Sequence, residues 1–262
     1  MNKSTQKEFI MNTEDQQVLM RLLLGIGERL LSCGAETHRV EDTLDRVGRA
    51  AGATYMNVMV ITAGITITAG FGENEMLTHT RRIRHDATTD FHALEAVNTA
   101  SRRFCSGEMT IAEFEELLLE LKKPKEKLTM YLGSAVSTLG FCAFFGGSFA
   151  DCAVCTVIGL LVCAFKLYAS GLFPNRVLYN LSVAFLSGLV ICLTARLVPG
   201  LDASKIMIGD IMLLTPGVAI TGALRDVLVG DTISGTIRLV ECVIWAGALA
   251  FGFMAAMAVT GI

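Results

Sequence analysis

From Leu128 to its end, the chain is a succession of five apolar runs, 128–149, 153–173, 177–198, 206–228 and 233–259, almost free of charge. Crossing about 30 Å of hydrocarbon at about 1.5 Å per residue takes about 20 mainly apolar residues. Each run therefore has the length of a spanning helix, the structure that satisfies its own backbone in lipid. Charge divides the chain at the same place. Residues 1–127 carry 16 Lys and Arg against 19 Asp and Glu, whereas residues 128–262 carry 6 of each. The reading is a polar domain over 1–127 followed by an all-α membrane domain of five transmembrane helices over 128–262. Only 18% of residues are charged, against about 25% in a soluble domain, and the mean hydropathy is +0.54. A formal net charge of −3 gives no basic face for nucleic acid, so the partners expected are a lipid bilayer and a small molecule.

The polar part reads as a small α/β domain of order ααβββαα. Thr13 and Gln16 have capping-box spacing, and Val18, Leu19, Leu22, Leu23, Ile26 and Leu30 then recur at helical period before Gly34. A second helix runs from about Ala35 to Ala51 with Val40, Leu44 and Val47 as its buried stripe. Three β-prone stretches follow, Tyr55–Ile61, Ile65–Thr68 and Met76–Ile83. Helical period returns at Phe91, Leu94, Val97 and Phe104, and Thr110 with Glu113 opens a last helix before Pro124.

Orientation follows from Lys and Arg. Lys122, Lys123, Lys125 and Lys127 precede the first run, Lys166 and Arg176 flank the second connection, and Arg225 and Arg238 flank the fourth. Arg196 and Lys205 are alone on the opposite side. The positive-inside rule then predicts a cytoplasmic N-terminal domain and an external C-terminus.

Polar features within the apolar part mark the candidate pathway, since an ionisable group at that depth costs about 2.5–3.5 kcal/mol on insertion scales. Asp210 and the triplet Thr215-Pro216-Gly217 lie in the fourth run, and Lys166 lies in the second. Pro216 removes a backbone donor near the midpoint of its run, and broken helices at that depth line binding sites in transporters. Arg225, Asp226, Asp231, Arg238 and Glu241 form a candidate charged mouth, with Arg238 and Glu241 spaced to pair on one helix face. Ser134, Ser137 and Thr138 share a face of the first run, while Ala248, Gly252 and Ala256 give the fifth a small-residue stripe suited to close packing.

Neither a cofactor nor a metal is expected. Six of the eight cysteines lie in the apolar part and read as small apolar side chains. The single C-x-x-C of Cys152 and Cys155 lacks a second pair, and His38, His79, His85 and His92 lack ligand spacing.

The run Cys33-Gly34-Ala35-Glu36-Thr37-His38-Arg39-Val40-Glu41-Asp42-Thr43-Leu44 resembles the signature of the threonine/serine exporter (ThrE) family. So does Pro216-Gly217 followed by Arg225-Asp226, Gly230-Asp231, Ser234-Gly235 and Arg238. The resemblance implies export of threonine and serine or, in the YjjP-type branch, of dicarboxylates such as succinate. It also implies that the chain is the larger subunit of a split form, its remaining spans supplied by a small membrane protein of the YjjB type. A homo-oligomer stays open. Within the first motif, Glu36 stands in line with Val40 and Leu44 and is expected either to contact the membrane domain's mouth together with Arg39, which is placed to neutralise it, or to form a local helix-capping pair with it. Glu41 belongs to the same motif. No residue is assigned as catalytic, because neither G-x-S-x-G nor H-E-x-x-H is present. A membrane-tethered hydrolase and a regulatory subunit gating a partner channel remain as alternatives.

Overall fold

The computed structural model describes residues 12–72, 76–83, 89–121 and 127–261. Lys122, Lys123, Lys125 and His85 lie outside the described residues. The described chain forms two compact units. One joins the described part of Met1–Lys123 to Val218–Leu239, and the other joins that of Pro124–Gly217 to Val240–Ile262. The stretch 218–239, grouped by composition with the apolar part, thus packs with the polar one.

In the first unit, α1 (Thr13–Ser32) is the central helix and α2 (Thr37–Ala50) follows it. The α1 N-cap is Asn12, one residue before the expected start. Its Oδ1 accepts from the Asp15 N–H at 2.8 Å, and Asn caps as well as Ser or Thr. Gln16 is buried instead of closing a capping box. The helix ends where Gly34 takes φ 86°, a left-handed conformation that suits glycine. Strands β1 (Tyr55–Ile61), β2 (Gly64–Gly70) and β3 (Met76–Arg82) form an antiparallel sheet in that order, with Val58 opposite Ile67 and Ile67 opposite His79. Alternation along β2 sends Ile65, Ile67 and Ala69 inward. On its other face, hydroxyls pair as Thr66–Thr80 and Thr68–Thr78, at 3.2 and 2.9 Å.

Helix α3 (Phe91–Cys105) starts at the Asp90 cap, and α4 (Ile111–Glu120) starts with the full Thr110–Glu113 capping box. The core joins Leu19, Leu23 and Ile26 of α1, Val40, Leu44 and Val47 of α2, and Ile67, Val97 and Phe114. Each such side chain contributes about 1.5–3 kcal/mol when fully buried. Helix α9 (Gly217–Val229), from Val218 on, and the first turns of α10 (Thr232–Thr260) complete this unit. They approach closely at Gly235, where a Cβ would stand 2.7 Å from the Ala223 carbonyl.

The second unit is all helical: α5 (Lys127–Phe144), α6 (Phe149–Ala169), α7 (Arg176–Leu197), α8 (Ala203–Leu214) and the remainder of α10. Its core holds Cys142, Cys155, Ile158, Ala184, Ile191, Ile206 and Phe253. The outer surface is also apolar; Phe149, Leu172, Leu197, Phe251 and Val259 are all exposed, as suits helices solvated by hydrocarbon. Among the described residues, three stretches are long and apolar enough to cross a membrane, Phe149–Leu172, Arg176–Leu197 and Thr232–Thr260, with α8 and α9 a fourth if they count as one broken span. Helix α5 has 18 residues and includes Lys127, Ser134, Ser137 and Thr138, so it falls short of that standard. The Ala248–Gly252–Ala256 stripe packs on α7. A Cβ on Gly252 would meet the Leu181 carbonyl at 2.6 Å, and one on Gly188 would meet Ala256 at 2.8 Å.

Candidate functional site

The signature residues of α2 meet those of α9 and α10 at one corner of the first unit. Glu36 is the N-cap residue of α2, yet its side chain makes no capping bond, and the first turn holds no acid. The positive end of a helix favours negative charge, and here the carboxylates come from a different part of the chain. Gly230, at φ 111°, turns α9 into α10. The Asp231 N–H donates to the Asp226 carbonyl at 2.9 Å, while the Asp231 carbonyl accepts from Gly235. That turn brings the carboxylates of Asp226 and Asp231 up to the start of α2.

Five polar contacts fasten the corner. The Thr37 hydroxyl donates to Asp231 Oδ2 at 2.8 Å. Arg225 Nη1 pairs with Glu36 Oε1 at 2.8 Å. Arg238 Nη1 donates to Asp226 Oδ2 at 3.1 Å, and its Nη2 donates to the Ala35 carbonyl at 3.2 Å. His38 Nε2 stands 3.6 Å from Glu36 Oε2. Asp226 is fully buried and Arg238 nearly so, and the Thr37 backbone N–H also faces Asp226. Three buried polar atoms here have no hydrogen-bond partner: Glu36 Oε2, His38 Nδ1 and Asp226 Oδ1.

Glu41, one turn along α2, accepts the Val60 N–H at 2.8 Å and so ties the helix to β1. Desolvation pushes its carboxyl above the ordinary value, as does Asp231 to a lesser degree, while the Val60 bond and His38 pull it down. Beside the corner lies a cavity of about 320 Å³ whose walls include Leu30, Glu36, Arg39, Asn98, Thr221 and Arg225.

Arg39 is exposed on the wall of that cavity, and the partner of Glu36 is Arg225. Arg238 pairs with Asp226, and Glu241 is exposed in the other unit. Sequence spacing pointed to Arg39 and Glu241 because it sees neighbours on one helix; these pairs instead join residues 12 and 189 positions apart. Thr37, His38 and the Ala35 carbonyl belong to the signature, but helical spacing assigns them no contact. Their signal was present, since all three sit in the motif at the point where a helix opens without a cap of its own.

In the second unit, Asp210 on α8 is fully buried, and neither carboxylate oxygen has a hydrogen-bond partner. Ser187 of α7 is close enough to act on it, but its hydroxyl is directed to the Ala184 carbonyl at 3.5 Å. Helix α8 stops at Thr215, whose hydroxyl turns back to the Ile211 carbonyl at 2.8 Å. Pro216 is buried and Gly217 is exposed. Lys166 is exposed in the last turn of α6.

Spanning-length helices with apolar exteriors and few buried charges define a multi-pass membrane protein. The sequence pattern of the threonine/serine exporter family, ThrE, matches residues 21–260, and the chain belongs to that family of membrane transporters. The resemblance carried by the two motifs is thereby confirmed, and nothing in it supports the hydrolase alternative. The chain is also 25% identical, over 96% of its length and 98% of the relative's, to a protein of Escherichia coli (strain K12) named as a probable succinate transporter subunit, YjjP. No solved structure matches it.

Proposed function

We propose that this chain exports a small polar metabolite, threonine and serine or a dicarboxylate such as succinate, across a bacterial inner membrane. It acts with a small membrane subunit of the YjjB type, and its N-terminal domain faces the cytoplasm. The observation that carries this reading is the family match over nearly the whole chain. The name of the Escherichia coli relative supports both the dicarboxylate and the second subunit. In this reading, five runs cross the bilayer, and the pathway passes Asp210, the Thr215-Pro216-Gly217 break and Lys166. A buried carboxylate without a partner, one turn and a half before a broken helix, suits a proton or substrate site. The corner of Glu36, Arg39, Glu41, Arg225, Asp226, Asp231 and Arg238 forms the cytoplasmic mouth, with Glu241 further along α10.

Counterflow in proteoliposomes tests this. Radiolabelled succinate and threonine are offered to the purified chain with and without its partner subunit. Exchange of either substrate that needs both proteins supports the split exporter. Exchange by the chain alone removes the partner from the proposal, and no exchange of either substrate by the pair overturns the exporter reading.

A further inference from the structure

The polar corner of the first unit carries more negative charge than its own cations balance. Glu36, Glu41, Asp226 and Asp231 gather there against the guanidinium groups of Arg225 and Arg238, with Arg39 exposed on the wall of the adjoining cavity. Buried charge of one sign is costly unless paired or bound to a metal. His38, Asp226 and Asp231 each bring one ligand-type atom to within 4.8 Å of the others. The second observation is independent of that clustering. Asp226 is 0% exposed, and its Oδ1 has no hydrogen-bond partner; His38 Nδ1 has none either.

The bonds already made leave a coherent set of atoms. Arg238 takes Asp226 Oδ2, leaving Oδ1. Thr37 takes Asp231 Oδ2, leaving its other oxygen. His38 turns Nε2 toward Glu36, leaving Nδ1. A carboxylate behind the distal nitrogen of an imidazole is the usual outer partner of a metal-bound histidine, fixing its tautomer and raising its basicity.

We propose that His38, Asp226 and Asp231 bind a first-row divalent cation, Mn²⁺ or Zn²⁺, that clamps the start of α2 to the α9–α10 turn. One imidazole and two carboxylates form a mixed nitrogen and oxygen set suited to these ions, with water completing the shell. Metal–ligand bonds of about 2.0–2.2 Å put ligand atoms roughly 3.0–3.4 Å apart. Atoms that now lie within 4.8 Å of one another therefore close by up to roughly 1.4–1.8 Å per pair on binding. The two-residue spacing rules for metal motifs miss this set because its members come from positions 38, 226 and 231.

The test uses the full chain in detergent, purified on a tag free of histidine, stripped with a chelator and titrated calorimetrically with Mn²⁺ and then Zn²⁺. The expected result is one ion per chain and a raised melting temperature with metal. His38→Phe and Asp231→Asn should each weaken binding by at least about tenfold, while His92→Phe, at an exposed position, leaves it unchanged. Asn matches Asp in size and keeps an oxygen to accept the Thr37 hydroxyl, so Asp231→Asn serves even if the His38 variant fails to fold. The site is overturned if no saturable binding occurs, or if both variants bind as the parent does. Binding is read without any transport, so failure of the exporter reading leaves this result standing.

Discussion

Arg238 lies against Asp226, donating to its Oδ2 at 3.1 Å, with the carboxylate wholly buried and the arginine side chain 14% exposed. Removing one member of a buried pair strands the other, at a cost of about 3–5 kcal/mol. Arg238→Ala should therefore lower the stability of the first unit by about that amount, seen as a drop in melting temperature of the full chain in detergent. Arg225→Ala is the contrast. Its side chain is 61% exposed, and an exposed ion pair contributes about 0–1 kcal/mol. Equal losses in the two variants would show that the corner does not depend on the buried pair.

Thr37 gives a sharper comparison because its hydroxyl is buried and donates to a carboxylate. Valine has nearly the same shape without the donor. Hydrogen bonds to charged groups contribute about 1.5–3 kcal/mol, so Thr37→Val should destabilise the chain by that order, whereas Thr37→Ser retains most of the bond. Chemical denaturation of the two variants side by side checks this, and a Ser variant as weak as the Val variant would point to packing instead.

The period of the apolar residues made much of the first unit legible before any coordinates. Val40, Leu44 and Val47 are buried along α2, and the Thr110–Glu113 box opens α4, because both depend on residues a few positions apart. The polar corner was legible only as a composition. The charged residues of α9 and α10 were visible, but Glu36 meets Arg225 and Thr37 meets Asp231 through the fold of the chain, which no local spacing encodes. The fourth apolar run illustrates a second limit. Its length reads as one span, whereas Pro216 divides it into α8 and α9, and the residues after Gly217 pack with the polar unit. Hydropathy records affinity for lipid, not which neighbour a helix chooses.

Glu41 predicts a pH dependence. Its carboxyl is raised above 4.5, chiefly by desolvation, so the folded protein binds its proton more tightly than the unfolded chain does. Stability from this group is then greatest at low pH and falls as pH rises from about 4.5 through the raised value, levelling off above it. Glu41→Gln keeps an oxygen to accept the Val60 N–H but cannot ionise. The variant should gain stability relative to the parent at pH 7 and lose this part of the pH slope in melting curves.

In the second unit, a Cβ on Gly252 would stand 2.6 Å from the Leu181 carbonyl and 2.7 Å from the Ala184 Cβ, while one on Gly247 of the same helix meets nothing within 4 Å. Overpacking costs about 1–3 kcal/mol, and Leu181 presents backbone, which yields less than a flexible side chain. Gly252→Ala should lower the melting temperature in detergent, and Gly247→Ala should leave it unchanged.

Asp210 separates stability from transport. Its carboxylate is fully buried on an apolar helix, with neither oxygen bonded, so the ionised form is costly in the fold. Asn has the same size and no charge. If the group serves only packing, Asp210→Asn should stabilise the chain and leave export intact. If it carries a proton or contacts substrate, the same variant should be at least as stable as the parent and lose counterflow by about tenfold or more, equivalent to roughly 1.4 kcal/mol. We expect the second pattern, because an unpaired charge of this kind persists in a membrane helix where function retains it. Melting curves and counterflow on the same preparation decide the matter: a stable variant with parental exchange removes Asp210 from the pathway.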